Sequence, residues 1–298
     1  MPEEWPQNSV LPRQAMPAAR ELLCRDRRLL LDGTPHVVGI LNVTDDSFFD
    51  GGQHNSLSAA VSHARLLVAE GASVIDIGGQ STRPGYVEVG PDEEIRRVIP
   101  VIRELVRHVA VPLSIDTYHA TVADAALQAG AHIVNDVHGL QHDPAMAPVI
   151  ARHGAAAILM HNDPAFRETP GDVIENIKSF LTRSLALAAA AGIDPARIIL
   201  DPGIGFGKTQ PQNLAILARL SELHALGHPI LLGASRKSVI SHVLDLPPDE
   251  RLEGTLALTA LAVGQGVQFH RVHDVRANHR AALMSAAIRD ALASGSQL

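Results

Sequence analysis

The sequence predicts a single α/β domain, a (β/α)8 barrel preceded by a short N-terminal arm and a hairpin. Three observations carry that expectation. Eight short β-branched or aliphatic runs alternate with helical stretches, the pattern of parallel strands covered by helices. The 298 residues suit one barrel of roughly 250 residues with a short extension. Nearly every strand-like run ends in a polar residue or a glycine, as a ring of loops converging on one mouth requires. A doubly wound open sheet is the rival architecture, and it carries its ligand at one switch point. The boundaries read as an arm over 1–20 and a barrel over 21–298, with no linker or low-complexity tract between them.

The elements follow in order. LLCRDRRLLLDG (22–33) predicts two short strands joined as a hairpin. HVVGILN (36–42) ends at Asn42, SVIDIGG (73–79) carries Asp76 near its end, and VPLSID (111–116) ends at Asp116. HIVND (132–136) ends at Asn135 and Asp136, AAILMH (156–161) at Met160 and His161, and RIILD (197–201) at Asp201. PILLGAS (229–235) ends at Gly233 and Ser235, and VQFHRVHD (267–274) carries Arg271 and His273. Helical periodicity appears at 56–71, 93–109, 121–130, 173–192, 213–227, 257–266 and 277–293. Several of these stretches end in glycine, as helix C-termini do. LDLPPDERLEGT (244–255) interrupts the seventh helical region and splits it in two.

The bulk numbers exclude several classes. A net charge of −7 argues against a general nucleic-acid binder. Cys24 is the only cysteine, so there is no intrachain disulfide and no cysteine-rich zinc site. The first residues, MPEEWPQNSVLPRQ, have no apolar core of a signal peptide, and no apolar run reaches membrane-spanning length. A cytoplasmic setting is expected. The 16 histidines are scattered, and His270 and His273, three apart in a strand, point to opposite faces, so no histidine zinc site is expected.

ILDPGIGFGKT (199–209) resembles a nucleotide loop at first sight. A Walker A loop needs Gly at the position of Pro202, and proline supplies no N–H. A G-x-G-x-x-G loop needs Gly where Lys208 stands. Neither nucleotide reading fits.

The strand ends are better taken as one pocket. Asp116, Asn135, Asp201 and Lys237 offer acceptors beside one ammonium, which suits a flat heterocycle with donors and acceptors on its edge. Arg83, Arg271 and His273 offer cationic donors for phosphate oxygens; Arg271 and His273, two apart, share a face. Any one Asp or Asn at a strand end also reads as a helix cap or turn residue. Asp76 is assigned to the Gly78–Gly79 turn, Ser235 is a candidate cap of its helix, Phe206 either packs or stacks on a ligand, and Lys208 reads as an exposed lysine.

Eight segments in this order resemble the dihydropteroate synthases, the folate-pathway enzymes that sulfonamides target. They are GILNVTDDSFFDGG (39–52), DIGGQSTRPG (76–85), SIDTY (114–118), VNDVHG (134–139), LMH (159–161), DPGIGFGKT (201–209), GASRKS (233–238) and RVHDV (271–275). The resemblance implies the displacement of diphosphate from hydroxymethyl-dihydropterin diphosphate by 4-aminobenzoate. It implies Asp116, Asp201 and Lys237 as the catalytic set, with Asn135, Met160 and Gly233 completing the pterin site. It implies Thr82, Arg83, Arg271 and His273 around the diphosphate, Mg2+ bound through Asn42, and Pro84, Phe206, Ser235 and Arg236 around aminobenzoate. It also implies a homodimer through 257–266 and 277–293. The sequence departs from the family pattern at Asp45, Phe49, Gln80, His119 and His138; Asp45 stands for a proline, which frees the first loop. Two other classes compete: a methyltransferase acting on a pterin-bound methyl group, and a pterin-binding protein without catalysis.

Overall fold

A computed structural model of the chain describes residues 20–43, 53–80 and 89–294; the arm read over 1–20 lies outside them except for Arg20. The first elements are the antiparallel pair β1 (Arg20–Cys24) and β2 (Arg27–Leu31), with Leu22 opposite Leu29. Eight parallel strands follow: β3 (His36–Asn42), β4 (Ala72–Gly78), β5 (Leu113–Asp116), β6 (Ile133–Asp136), β7 (Ala156–Met160), β8 (Ile198–Asp201), β9 (Leu231–Leu232) and β10 (Phe269–Val272). Their order is β8-β7-β6-β5-β4-β3-β10-β9. A parallel bridge between Leu200 and Ile230 joins the two edges, and Leu200 N–H donates to the Pro229 carbonyl at 2.9 Å. The sheet is therefore a barrel, and each strand run read from the sequence is a strand.

The helices are α1 (Gln53–Ala69), α2 (Pro91–His108), α3 (Ala120–Ala129), α4 (Met146–His153), α5 (Val173–Ala190), α6 (Gln210–Ala218), α7 (Ser238–Leu244), α8 (Leu252–Gly264) and α9 (Val275–Ser294). Local chemistry sets their ends. Proline opens α2, followed by Asp92, Glu93 and Glu94, which favour the positive end of the helix. Asp172 caps α5 by accepting from Ile174 and Glu175 N–H. Thr209 and Gln212 form a reciprocal capping box on α6. The seventh region is split as expected, with a 3-10 turn, Pro248–Glu250, between α7 and α8.

Two elements differ from the sequence expectation. Helix α4 was not among the predicted stretches. It spans eight residues with Pro148 inside its first turn, too short and interrupted to show periodicity. The stretch 213–227 is not one helix: α6 stops at Ala218, Arg219 leaves helical geometry at φ −127°, and a 3-10 helix runs Leu220–Leu226. Gln265 fills the break by donating to Leu217 O at 2.8 Å and accepting from Ser221 N–H at 3.2 Å.

Strand alternation divides the core in two. Val37, Ile75, Ala157, Leu159, Ile198 and Leu200 face the helices. Val38, Val74, Ile133, Ala156, Ile158, Ile199, Leu231 and Phe269 face the barrel interior, where Leu22 and Cys24 of the hairpin join them. The hairpin thus plugs the lower end. Arg25 fastens it by donating to Leu127 O and Ala131 O at 2.8 and 2.7 Å. Arg197 does so by donating to Leu23 O at 3.3 Å and Gly154 O at 2.7 Å.

Candidate functional site

The same alternation builds the upper end. Two residues beyond Val74, Ser114, Ile133, Ile158, Ile199, Leu231 and Phe269 stand Asp76, Asp116, Asn135, Met160, Asp201, Gly233 and Arg271. A period of two keeps them all on the inward face, at the C-terminal mouth where barrels of this kind carry their sites. Asn42, four residues beyond Val38, lies on the same face.

Asp76 is fully buried and is not a turn residue. Its Oδ2 accepts from Asn135 Nδ2 at 3.2 Å and from Arg271 Nε at 2.6 Å. Arg271 Nη2 donates to Asp116 Oδ2 at 2.7 Å. One guanidinium therefore spans two carboxylates, and Arg271, placed from the sequence with the anion donors, is also bound to the ring-side acids. Burial raises the Asp116 carboxyl above the usual range; Arg271 opposes this and Asp76 adds to it. Burial would lower the Arg271 guanidinium, but Asp76 and Asp116 hold it above its ordinary value. Sequence reasoning missed Asp76, although its register, two beyond Val74, was the available signal.

Asp201 lies at the end of β8. Its Oδ1 accepts from Gly203 N–H at 2.6 Å, and its other oxygen sits beside Gly233, where a Cβ would be 3.5 Å away. Burial raises its carboxyl, opposed chiefly by Lys237. Lys237, N-cap of α7, donates to Ile204 O at 2.7 Å, and its ammonium lies 4.4 Å from the centre of the Phe206 ring. Burial lowers it to about 8 against the pull of Asp201. Phe206 is thus half-buried beneath a cation.

The segment after Asp201 is a turn into α6. Gly203 has φ +67°, and a Cβ there would stand 2.1 Å from His161 O, so only glycine fits. Lys208 corrects the sequence reading: it is buried, 4% exposed, with its ammonium turned back into the turn rather than to solvent.

Beside them, after β9 and β10, Ser235 Oγ and His273 Nδ1 lie 3.1 Å apart. Ser235 does not cap α7, which has no side-chain cap bond. Arg236 sits at φ 58° and forks onto Asp274 at 2.9 and 2.5 Å. Asn42 is half-buried; a Cβ on Gly78 would be 3.6 Å from its Oδ1 and 3.9 Å from Asp116 Oδ2, so both oxygens lie beside the bare glycine. Among the described residues no cluster of three His, Cys, Asp or Glu could hold a metal.

Glu94 is a second residue that the sequence did not single out. It is buried behind Gly79, where a Cβ would meet its Cγ at 2.9 Å. Burial pushes it up to about 7 against a hydrogen bond from the Thr117 side chain, and the charge of Asp116 pushes the same way as burial. The departures His119 and His138 stand around Tyr118, with ring centres 4.3 and 5.3 Å from it. Thr82, Arg83 and Pro84, and the departures Asp45 and Phe49, lie outside the described residues.

Residues 38–273 match the family model for pterin binding enzymes. The chain is 50% identical over 248 residues to the dihydropteroate synthase of Bacillus subtilis, covering 83% of this chain and 86% of the relative. It is similar to the Clostridium difficile dihydropteroate synthase solved in the presence of pteroic acid, with a TM-score of 0.83 and 50% identity, over 86% of this chain and 97% of that one. It is also similar to the Xanthomonas albilineans dihydropteroate synthase solved with 4-aminobenzoic acid, with a TM-score of 0.85 and 42% identity, over 91% and 99% of the two chains.

Proposed function

The chain belongs to the pterin-binding enzyme family, and we propose that it catalyses the dihydropteroate synthase reaction. The amine of 4-aminobenzoate forms a C–N bond to the exocyclic carbon of 6-hydroxymethyl-7,8-dihydropterin diphosphate. The C–O bond to diphosphate breaks, the amine loses a proton, and 7,8-dihydropteroate and diphosphate leave. The observation that carries this reading is the inward ring of Asp116, Asn135, Asp201 and Arg271 above one apolar floor, with Lys237 over it.

That ring fits an amino-pyrimidinone edge. A carboxylate accepts two N–H bonds from it, Asn135 donates and accepts, and Lys237 donates to ring oxygen or nitrogen. Asp116 and Asp201 stabilise positive charge as it develops on the pterin, so the displacement runs by an S_N1-like path and needs no general base. Diphosphate leaves as its charge is met by hydrogen-bond donors and guanidinium groups, for which Arg271 and Arg83 serve with His273 and Thr82. Two of the five N–H groups of Arg271 already hold Asp76 and Asp116, which orients the guanidinium. Pro84, Phe206, Ser235 and Arg236 form the aminobenzoate side.

Mg2+ fits this donor set. A single neutral amide oxygen, that of Asn42, suits an ion held mainly by water and substrate phosphates, and this oxygen lies beside Gly78. When bound, the ion neutralises diphosphate charge.

A homodimer accords with α8 and α9. Met284, Ile288 and Leu292, spaced by four, are exposed along α9, and Leu261 is exposed on α8, an apolar stripe on helices that pack together. Sedimentation of the wild type and Met284→Glu tests it; a monomeric wild type contradicts it. The reaction is tested by mixing the protein with the pterin diphosphate, Mg2+ and 4-aminobenzoate. Dihydropteroate is expected; pterin binding without product would leave a binding protein.

A further inference from the structure

Lys208 holds no ligand in the account above, yet its ammonium lies within reach of four acceptors. It donates to Gly203 O at 2.8 Å and Phe206 O at 3.0 Å. It also reaches His161 Nδ1 at 2.9 Å and His161 O at 3.3 Å. Gly203 and Phe206 are the two ends of one turn, closed by Phe206 N–H on Gly203 O at 3.1 Å. An ammonium has three hydrogens, and the three shorter contacts use them.

His161 makes this anchor rigid. It follows β7, and its N–H donates to Asp201 O at 2.9 Å. Burial holds its ring down to about 3, helped by Lys208, so it is neutral and its Nδ1 accepts. The ring proton then sits on Nε2, which has no hydrogen-bond partner. The ring stands edge-on to Phe166 and Phe180, at 4.6 and 4.7 Å between centres, where an N–H can lie over an aromatic face. The clamp thus ties the turn after β8 to the frame of β7.

The other side of the turn faces the site. Ile204 O accepts from Lys237, and the Phe206 ring lies beneath the same ammonium. A Cβ on Gly205 would be 3.3 Å from Lys237 Cδ, so the Lys237 stem lies across the turn. We propose that Lys208 is a positioning residue for the reaction. By clamping turn 203–206 from behind, it sets the Ile204 carbonyl and the Phe206 ring, and through them the Lys237 ammonium. The pterin and aminobenzoate sides are then aligned by one buried amine.

Burial pulls the Lys208 ammonium down to about 7; Asp201 and Asp163 oppose this and Lys237 adds to it. A methionine would fill the same space without burying a charge. What lysine adds is the set of hydrogens that joins the turn to His161.

The inference rests on the reading that Lys237 meets the pterin and Phe206 the aminobenzoate. The test compares wild type, Lys208→Met and His161→Gln in three measurements: calorimetric binding of a diphosphate-free pterin, kcat and KM for aminobenzoate, and melting temperature. For Lys208→Met, KM for aminobenzoate rises about tenfold or more and pterin affinity falls several-fold, the scale of losing a charged hydrogen bond. His161→Gln keeps the turn's own acceptors and shows a smaller shift in the same direction. If Lys208→Met does not fold, His161→Gln carries the test alone. A lower melting temperature with KM and pterin affinity unchanged in the folded variants overturns the proposal. If the wild type makes no dihydropteroate, the reaction assignment fails, while pterin calorimetry still reads the clamp.

Discussion

At the lower end of the barrel Leu22, Cys24, Val38, Ile133, Leu231 and Phe269 fill the interior. Two residues up the same strands, Ile133 is succeeded by Asn135, Leu231 by Gly233 and Phe269 by Arg271. The strands, the alternation and the helices outside are common to both levels; only the inward side chains change. Below, they are apolar and gain stability by leaving water. Above, two carboxylates share one guanidinium, and Asp76 keeps an oxygen without a hydrogen-bond partner. Buried ion pairs contribute little net stability because desolvation offsets their attraction. The upper level is therefore held in place by the lower one.

That difference can be broken from either end. The largest effect is expected from Phe269→Ala. The ring is fully buried and stacked on His36 at 5.0 Å, and its loss should cost about 3–5 kcal/mol of stability while pterin affinity of the folded protein is unchanged. Denaturant unfolding and calorimetry check both halves; equal stability would mean that the floor is not where the fold is secured.

Glu94→Gln should do the reverse. Burial raises the Glu94 carboxyl from the 4.5 of a free glutamate to about 7, so folding favours its protonated form. The wild type then loses stability as pH rises from 4.5 through about 7, by up to roughly 3 kcal/mol at 1.36 kcal/mol per pH unit. The glutamine variant should lack this slope and be the more stable protein at pH 8. Parallel stability–pH curves for the two proteins would contradict the assignment.

Asp201→Ala and Lys237→Ala should each weaken binding of a diphosphate-free pterin by about 10- to 150-fold, roughly 1.5–3 kcal/mol, with little loss of melting temperature. Loss of folding without loss of affinity would make the upper ring part of the scaffold. The smallest effect belongs to Arg236→Ala. The Arg236–Asp274 pair is partly exposed, so its removal should change stability by less than about 1 kcal/mol, whereas KM for aminobenzoate should rise; a larger stability loss with KM unchanged would place Arg236 in the scaffold.

The sequence made the barrel legible because strand ends and helix caps are local signals. Asn42, Asp116, Asn135 and Asp201 could be placed because each closes a short apolar run. Asp76 could not, because Gly78 and Gly79 beside it supplied a sufficient turn explanation, and its partners lie 59 and 195 residues away. Lys208 was misplaced for the same reason. Nothing local distinguishes an exposed lysine from one whose acceptors include His161, 47 residues earlier. Helix α4 was hidden by its length and Pro148, and the break at Arg219 by the distant Gln265.

The most direct measurement is a crystal structure of the protein with a diphosphate-free pterin. The ring is expected flat above the apolar floor, its amino-pyrimidinone edge within hydrogen-bonding distance of Asn135 and Asp201 and its face near Lys237. A pterin bound away from these residues, with Asp116, Asn135, Asp201 and Lys237 keeping only their present bonds to Arg271, Asp76, Gly203 and Ile204, would contradict the account.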